Sequence, residues 1–323
     1  MTNSIIERLK KLFPRKKLFN SPHNYKSAVL EIKNQIIDQS KQLTLHCSSR
    51  FNIPQHKLES YISEIRLHER ADINGYAIYS DDSQTFDIEI GIRLIGFLFK
   101  SVTLFVVRAK FLDEATNQRE DPSHTIDEMT PVAKELMEAF WNGTLDGVLG
   151  FTMENMSRNR RIVRNSLIAG AERFVMGHEL GHVVMKFHPE ISELSTGIFL
   201  AENLGNERIT QKFWGEEFGA DLISLSLCLM DAQQSYKDRP IAERNFEMLL
   251  AYSAIELIFI MQYMLECFYV KTEEKDFPYG THPPSLLRLT VLRNGMVNSS
   301  YPPWILDLGK QFEEAANEIL SKV

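Results

Sequence analysis

His178-Glu179-Leu180-Gly181-His182 sets two imidazoles four residues apart with a carboxylate between them. On a helix, residues at i and i+4 share a face, so both rings can reach one point. Neutral imidazole is a good zinc ligand, and the glutamate after the first histidine can point toward a water in an open coordination position. A random chain of this length would contain the pattern about once in a hundred, so the flanking residues decide how to read it.

The flanks are helical in pattern. Leu167, Ile168, Ala171, Phe174 and Val175 fall on one 3.6-period face, His178 and His182 continue that stripe, and Met185 follows. The histidines therefore lie on the inward-packing side, where two satisfied core histidines are the alternative to a metal pair. Phe187-His188-Pro189 ends the helix, because proline cannot continue it. His188 reads as a surface or capping residue.

A catalytic tetrahedral zinc takes three protein ligands and keeps a fourth position open. Trp214-Gly215-Glu216-Glu217-Phe218-Gly219-Ala220-Asp221 offers the third. Glu217 and Asp221 are again i, i+4, so a second helix would present both carboxylates to one place. We assign Glu217 as the ligand, with Glu216 the alternative, and Asp221 as the acceptor that fixes a histidine tautomer. The competing reading, helix N-terminal carboxylates complementing the dipole, fits Glu216 and leaves the Asp221 spacing unexplained. Ala220, Ser224 and Cys228 are small and would let the two helices approach closely. Further along, Thr281-His282-Pro283-Pro284 makes a rigid turn that could fix His282 at the mouth of a site. An ordinary helix entry is the alternative there.

Taken in order, HELGH at 178–182, EFGAD at 217–221 and THPPSLLR at 281–288 resemble the gluzincin metallopeptidases of the HtpX and CAAX-prenyl-protease type. The resemblance spans roughly residues 160–290. It implies that His178, His182 and Glu217 bind zinc and that Glu179 is catalytic. It also implies that Asp221 lies behind the ligands and that His282 and Arg288 border the site. The chain lacks the several transmembrane helices of the membrane members. In layout it is closer to the soluble, bacterial Lit-type phage-exclusion peptidases, which carry an alternating strand and an apolar helix upstream. Here Asp87 to Ile92 would be that strand and Leu94 to Val107 that helix.

Composition sets outer bounds. The chain has 323 residues, 44% apolar and 24% charged, as in globular proteins that bury one substantial core or two small ones. A net charge of −7 gives no pull toward nucleic acid. Cys47, Cys228 and Cys267 are widely spaced and read as reduced thiols, and the N-terminus shows no apolar signal-peptide core. A cytoplasmic location is the expectation.

Three parts are expected. Residues 1–26 carry a basic run, Arg8, Lys10, Lys11, Arg15, Lys16, Lys17 and Lys26, among Ile5, Ile6, Leu9, Leu12 and Phe13. This is either a solvated tail or an amphipathic segment for a membrane surface or an acidic partner. Residues 27–150 form a mixed α/β part: a helix over 27–50, strand signals over 62–92 with turns at Asn74-Gly75 and Asp81-Asp82, a polar loop from Asp113 to Thr125, and a helix over 127–141. Residues 151–323 form the helical core, within one compact domain with 27–150 or beside it. Arg158, Arg160, Arg161 and Arg164 read as a solvated helix face. Phe246 to Val270 is apolar enough to suggest a membrane span, but Glu256 and Glu266 interrupt it, so a buried helix is expected.

The fold expectation is α+β and mainly α, a gluzincin-like helical core with a small sheet. The functional expectation is an intracellular zinc endopeptidase acting on a protein or peptide substrate, and the Lit likeness implies a defence role. Glu179 would shuttle the proton and His282 would stabilise the developing oxyanion. The alternatives are a non-catalytic zinc-binding or sensing module and a membrane-associated peptidase using the basic N-terminus.

Overall fold

The computed structural model describes residues 25–68, 75–113, 118–145, 148, 150–151, 156–190, 208–279, 282–297, 301 and 303–323. Helix α1 (Tyr25–Phe51) and a short α2 (Gln55–Ser60) lead into strands β1 (Ile62–His68), β2 (Gly75–Ser80) and β3 (Thr85–Gly91). Helix α3 (Ile92–Val106), the hairpin β4 (Phe111–Asp113) and β5 (Gln118–Glu120), and α4 (Ile126–Trp141) follow. The rest is helical: α5 (Arg158–Phe187), α6 (Arg208–Ser235), α7 (Ile241–Glu273), α8 (Ser285–Val297), a 3-10 turn (Pro303–Leu306) and α9 (Asp307–Leu320). The architecture is mainly α with a small sheet, as the sequence pattern implies. The basic N-terminal run up to residue 24 and Asn74 lie outside the described residues.

The sheet has the order β1-β3-β2, with β1 parallel and β2 antiparallel to the central β3. Period-2 alternation sets its faces. Phe86, Ile88 and Ile90 are buried toward α5. Asp87 and Glu89 share the other face, where Arg66 pairs with Glu89. At the end of α5, Phe187 stacks on Tyr61 with centroids 3.7 Å apart and meets Tyr79 and Phe86 edge-on. This aromatic cluster pins the sheet to α5 just past the two histidines. The Asp81–Gln84 stretch forms the expected turn, whereas Gly75 opens β2. The polar stretch after Asp113 carries β5.

Helix α5 is the central post, touching α1, α3, α6, α7, β2 and β3, so residues before 150 and after 151 share one apolar core. Small residues let α5 and α6 meet closely. A Cβ on Gly177 would sit 2.6 Å from Ser224 Oγ, and one on Gly181 would sit 2.8 Å from Ala220 Cα. Ser224 Oγ also donates to the Phe174 carbonyl at 2.7 Å. Helix α7 is long and apolar enough to cross a membrane by length and composition, and 83% of its apolar window is buried inside the fold.

One expectation is corrected. The arginines at the start of α5 are not all solvated. Arg158 and Arg161 are exposed, but Arg160 and Arg164 are buried. Arg160 donates to the carbonyls of Val106, Ala109 and Asp121, closing the C-terminal end of α3 where a cation suits both the orphan carbonyls and the dipole. Arg164 donates to Thr103 Oγ1 and lies over the Phe99 ring. Helical periodicity turns alternate arginines inward, and only the tertiary neighbours make that tolerable.

Candidate metal centre

Four segments converge. Helix α5 carries His178, Glu179 and His182, α6 carries Glu217 and Asp221, the turn before α8 carries His282, and the first turn of α8 carries Arg288. His178 Nε2 and His182 Nε2 are 3.2 Å apart. Each lies 3.5 Å from a carboxylate oxygen of Glu217. These donor atoms all fall within 4.8 Å of one another and could hold a metal ion. Tetrahedral zinc with bonds of about 2.0–2.2 Å separates its ligand atoms by about 3.3–3.6 Å, so the spacing fits. Glu217 Oε2 adds a second test. It is buried without an aligned hydrogen-bond partner, although His282 Nδ1 is 2.9 Å away. A buried carboxylate oxygen in that state is what a cation would satisfy. The other acidic candidate, Glu216, is not part of the cluster.

Behind the donors, Asp221 is almost wholly buried and lies 2.9 Å from His178 Nδ1. Arg288 holds Asp221 with two hydrogen bonds, at 2.8 and 2.6 Å, and reaches within 3.7 Å of Glu217. The Asp221 contact orients the His178 ring so that Nε2 faces the shared point. His282 is half exposed and sits at the rim.

The electrostatics follow from this packing. Burial works to lower the His178 pKa, but Asp221 and Glu217 outweigh it and push it up to about 10. Burial and the neighbouring His178 hold His182 down to about 4, leaving it neutral. Burial works to raise the Glu217 carboxyl, yet contacts with His178 and His282 and the Arg288 charge keep it far below the usual range. Asp221 is also held low against burial, by Arg288 and His178. Glu179 goes the other way. It is buried, and burial, reinforced by Glu217, pushes it up to about 7. A carboxyl poised near neutrality can both take and return a proton.

One neighbour was not legible as part of the site. Gly75, at the start of β2, lies against Glu179, and a Cβ there would come within 2.6 Å of Glu179 Oε1. In the sequence Asn74-Gly75 signals only a turn. Among the described residues β2 pairs on one side only, so a strand edge runs beside the carboxylate. No protein-family model, curated protein or solved structure matches the chain.

Proposed function

We propose that the chain is a zinc-dependent endopeptidase of the gluzincin type. The observation that carries this reading is the His178, His182 and Glu217 donor set with the buried carboxyl of Glu179 on the same helix. Zinc bound there would supply a Lewis-acid charge acting on a water and on the scissile carbonyl.

The protein's own groups do the rest. Glu179 accepts the proton of the attacking water and passes it to the leaving amine. His282, at the rim of the site, is the side chain we assign to stabilise the developing oxyanion. Asp221 and Arg288 keep the His178 ring in register. Among the described residues β2 is an edge strand, and its edge would give an extended peptide a backbone partner beside Glu179. The likeness in layout to Lit-type peptidases extends the proposal to a defence role, cutting a specific cytosolic protein.

The test begins with metal content. One zinc per chain, lost or greatly weakened by Glu217→Ala but not by Glu216→Ala, supports the site. Proteins cleaved in a lysate by the wild type but not by Glu179→Gln support the activity. Zinc binding with full hydrolysis retained in Glu179→Gln would refute the mechanism. Zinc binding with no hydrolysis would favour the non-catalytic module.

A further inference from the structure

Glu266 is a carboxylate on the apolar α7, and it is buried. Burying a carboxylate is costly unless its oxygens are satisfied, and Glu266 has its donors from the segment that leads into α8. The backbone N–H of Ser285, the first residue of α8, donates to it at 3.1 Å, and the Ser285 hydroxyl donates as well. The Tyr279 hydroxyl also interacts with Glu266 and favours its charged form. Tyr279 and Ser285 bracket His282, whose own N–H donates to the Tyr279 carbonyl at 2.9 Å. Three residues past Ser285, Arg288 grips Asp221.

We infer that Glu266 is a positioning residue for the metal centre, tethering the two ends of the turn that presents His282. The consequence for hydrolysis rests on the peptidase reading, but the tether itself does not. His282 needs such a device. Its side chain is 56% exposed, so packing does little to hold it and the backbone turn must. A carboxylate at the N-terminus of α8 also complements that helix's dipole. A simple helix cap would explain the Ser285 contacts but not the interaction with Tyr279, which precedes His282 in the same turn.

The test compares Glu266→Ala, Glu266→Gln, His282→Ala and the Glu266→Ala/His282→Ala double variant. Amide hydrogen exchange is read on the metal-free chain, and zinc stoichiometry and hydrolysis on the loaded one. In Glu266→Ala we expect one zinc per chain and at least roughly tenfold faster exchange at the His282 amide. Hydrolysis should fall as far as in His282→Ala, with the double variant no lower. Glu266→Gln, whose amide oxygen can still accept from the Ser285 N–H and hydroxyl, should recover most of the loss. Unchanged exchange at His282 in Glu266→Ala, or additive losses in the double variant, would overturn the assignment. If the wild type hydrolyses nothing, the peptidase reading falls while the exchange result still decides the tether. If Glu266→Ala does not fold, Tyr279→Phe cuts one tether alone. Faster His282 exchange there supports the assignment, and unchanged exchange refutes it.

Discussion

Zinc should displace one proton from this site, and that proton should govern its affinity. In the metal-free cluster His178 lies between two carboxylates, 2.9 Å from Asp221 and 3.5 Å from Glu217, which push its pKa up to about 10 against burial. To ligate through Nε2 it must give up the Nε2 proton. At pH 7 the three-unit gap weakens apparent zinc affinity roughly a thousandfold, about 4 kcal/mol. His182, held down to about 4, has no proton to release. Apparent affinity should therefore rise about tenfold per pH unit up to about pH 10. Chelator competition at pH 7.5, 8.5 and 9.5 measures the slope. Calorimetry in buffers of different ionisation heat at pH 8.5 should count one proton released per zinc. Asp221→Asn removes the principal partner raising the His178 pKa, so it should flatten the slope while weakening binding by about 10–100-fold through loss of ring orientation. Affinity that does not change with pH, with no proton released, would refute the assignment of His178 as a buried imidazolium that becomes a ligand.

Three further outcomes are expected. Gly75→Ala should push the Glu179 carboxylate off its position, since the new Cβ would meet Oε1 at 2.6 Å; zinc stoichiometry should hold while peptide hydrolysis falls by about 10²-fold or more. Gly181→Val should force α5 away from Ala220 and destabilise the fold by at least about 1–3 kcal/mol in urea unfolding, the usual cost of overpacking. Glu247 is pushed from 4.5 to about 7, chiefly by burial and against the pull of Arg173. The folded chain then holds a proton that the unfolded chain releases, so stability should fall as pH rises from about 4.5 to about 7, by no more than about 3 kcal/mol. Unfolding midpoints across that range should lose this slope in Glu247→Gln.

The legible parts of this molecule were those written in local spacing. His178 and His182, Glu217 and Asp221, and the small face at Ala220 and Ser224 repeat at helical intervals, and the same arithmetic places them together in three dimensions. Helix α3 and strand β3 were legible for a similar reason, as an apolar run and a period-2 alternation. Gly75, Arg160 and Glu266 were not. Gly75 carries no side chain to announce that it borders Glu179. The burial of Arg160 depends on carbonyls at Val106, Ala109 and Asp121, 39 to 54 residues earlier. Glu266 looked like an interruption of an apolar helix because its partners, Tyr279 and Ser285, sit beyond that helix's end. In each case the deciding contact crosses from one element to another, and no periodicity within a single element encodes it.

Charge balance ties the site together. Without metal, Glu217 and Asp221 are offset by Arg288 and the His178 imidazolium, so these four buried charges cancel and the pull of the cations on Glu179 does not overcome its burial. Burial pushes Glu179 up to about 7 against the opposing pull of His178, with Glu217 adding to the rise. A divalent cation that displaces the His178 proton leaves the cluster with one excess positive charge. Ionisation of Glu179 restores neutrality, so metal loading and readiness of the base are the same electrostatic event. The proton count should register this. Near pH 7, where Glu179 is still partly protonated, zinc binding should release more than one proton, whereas at pH 8.5 it should release one. Arg288 is what makes the arrangement tolerable. Without it, two carboxylates would face a single imidazolium in the metal-free chain, and breaking a buried pair of this kind costs about 3–5 kcal/mol.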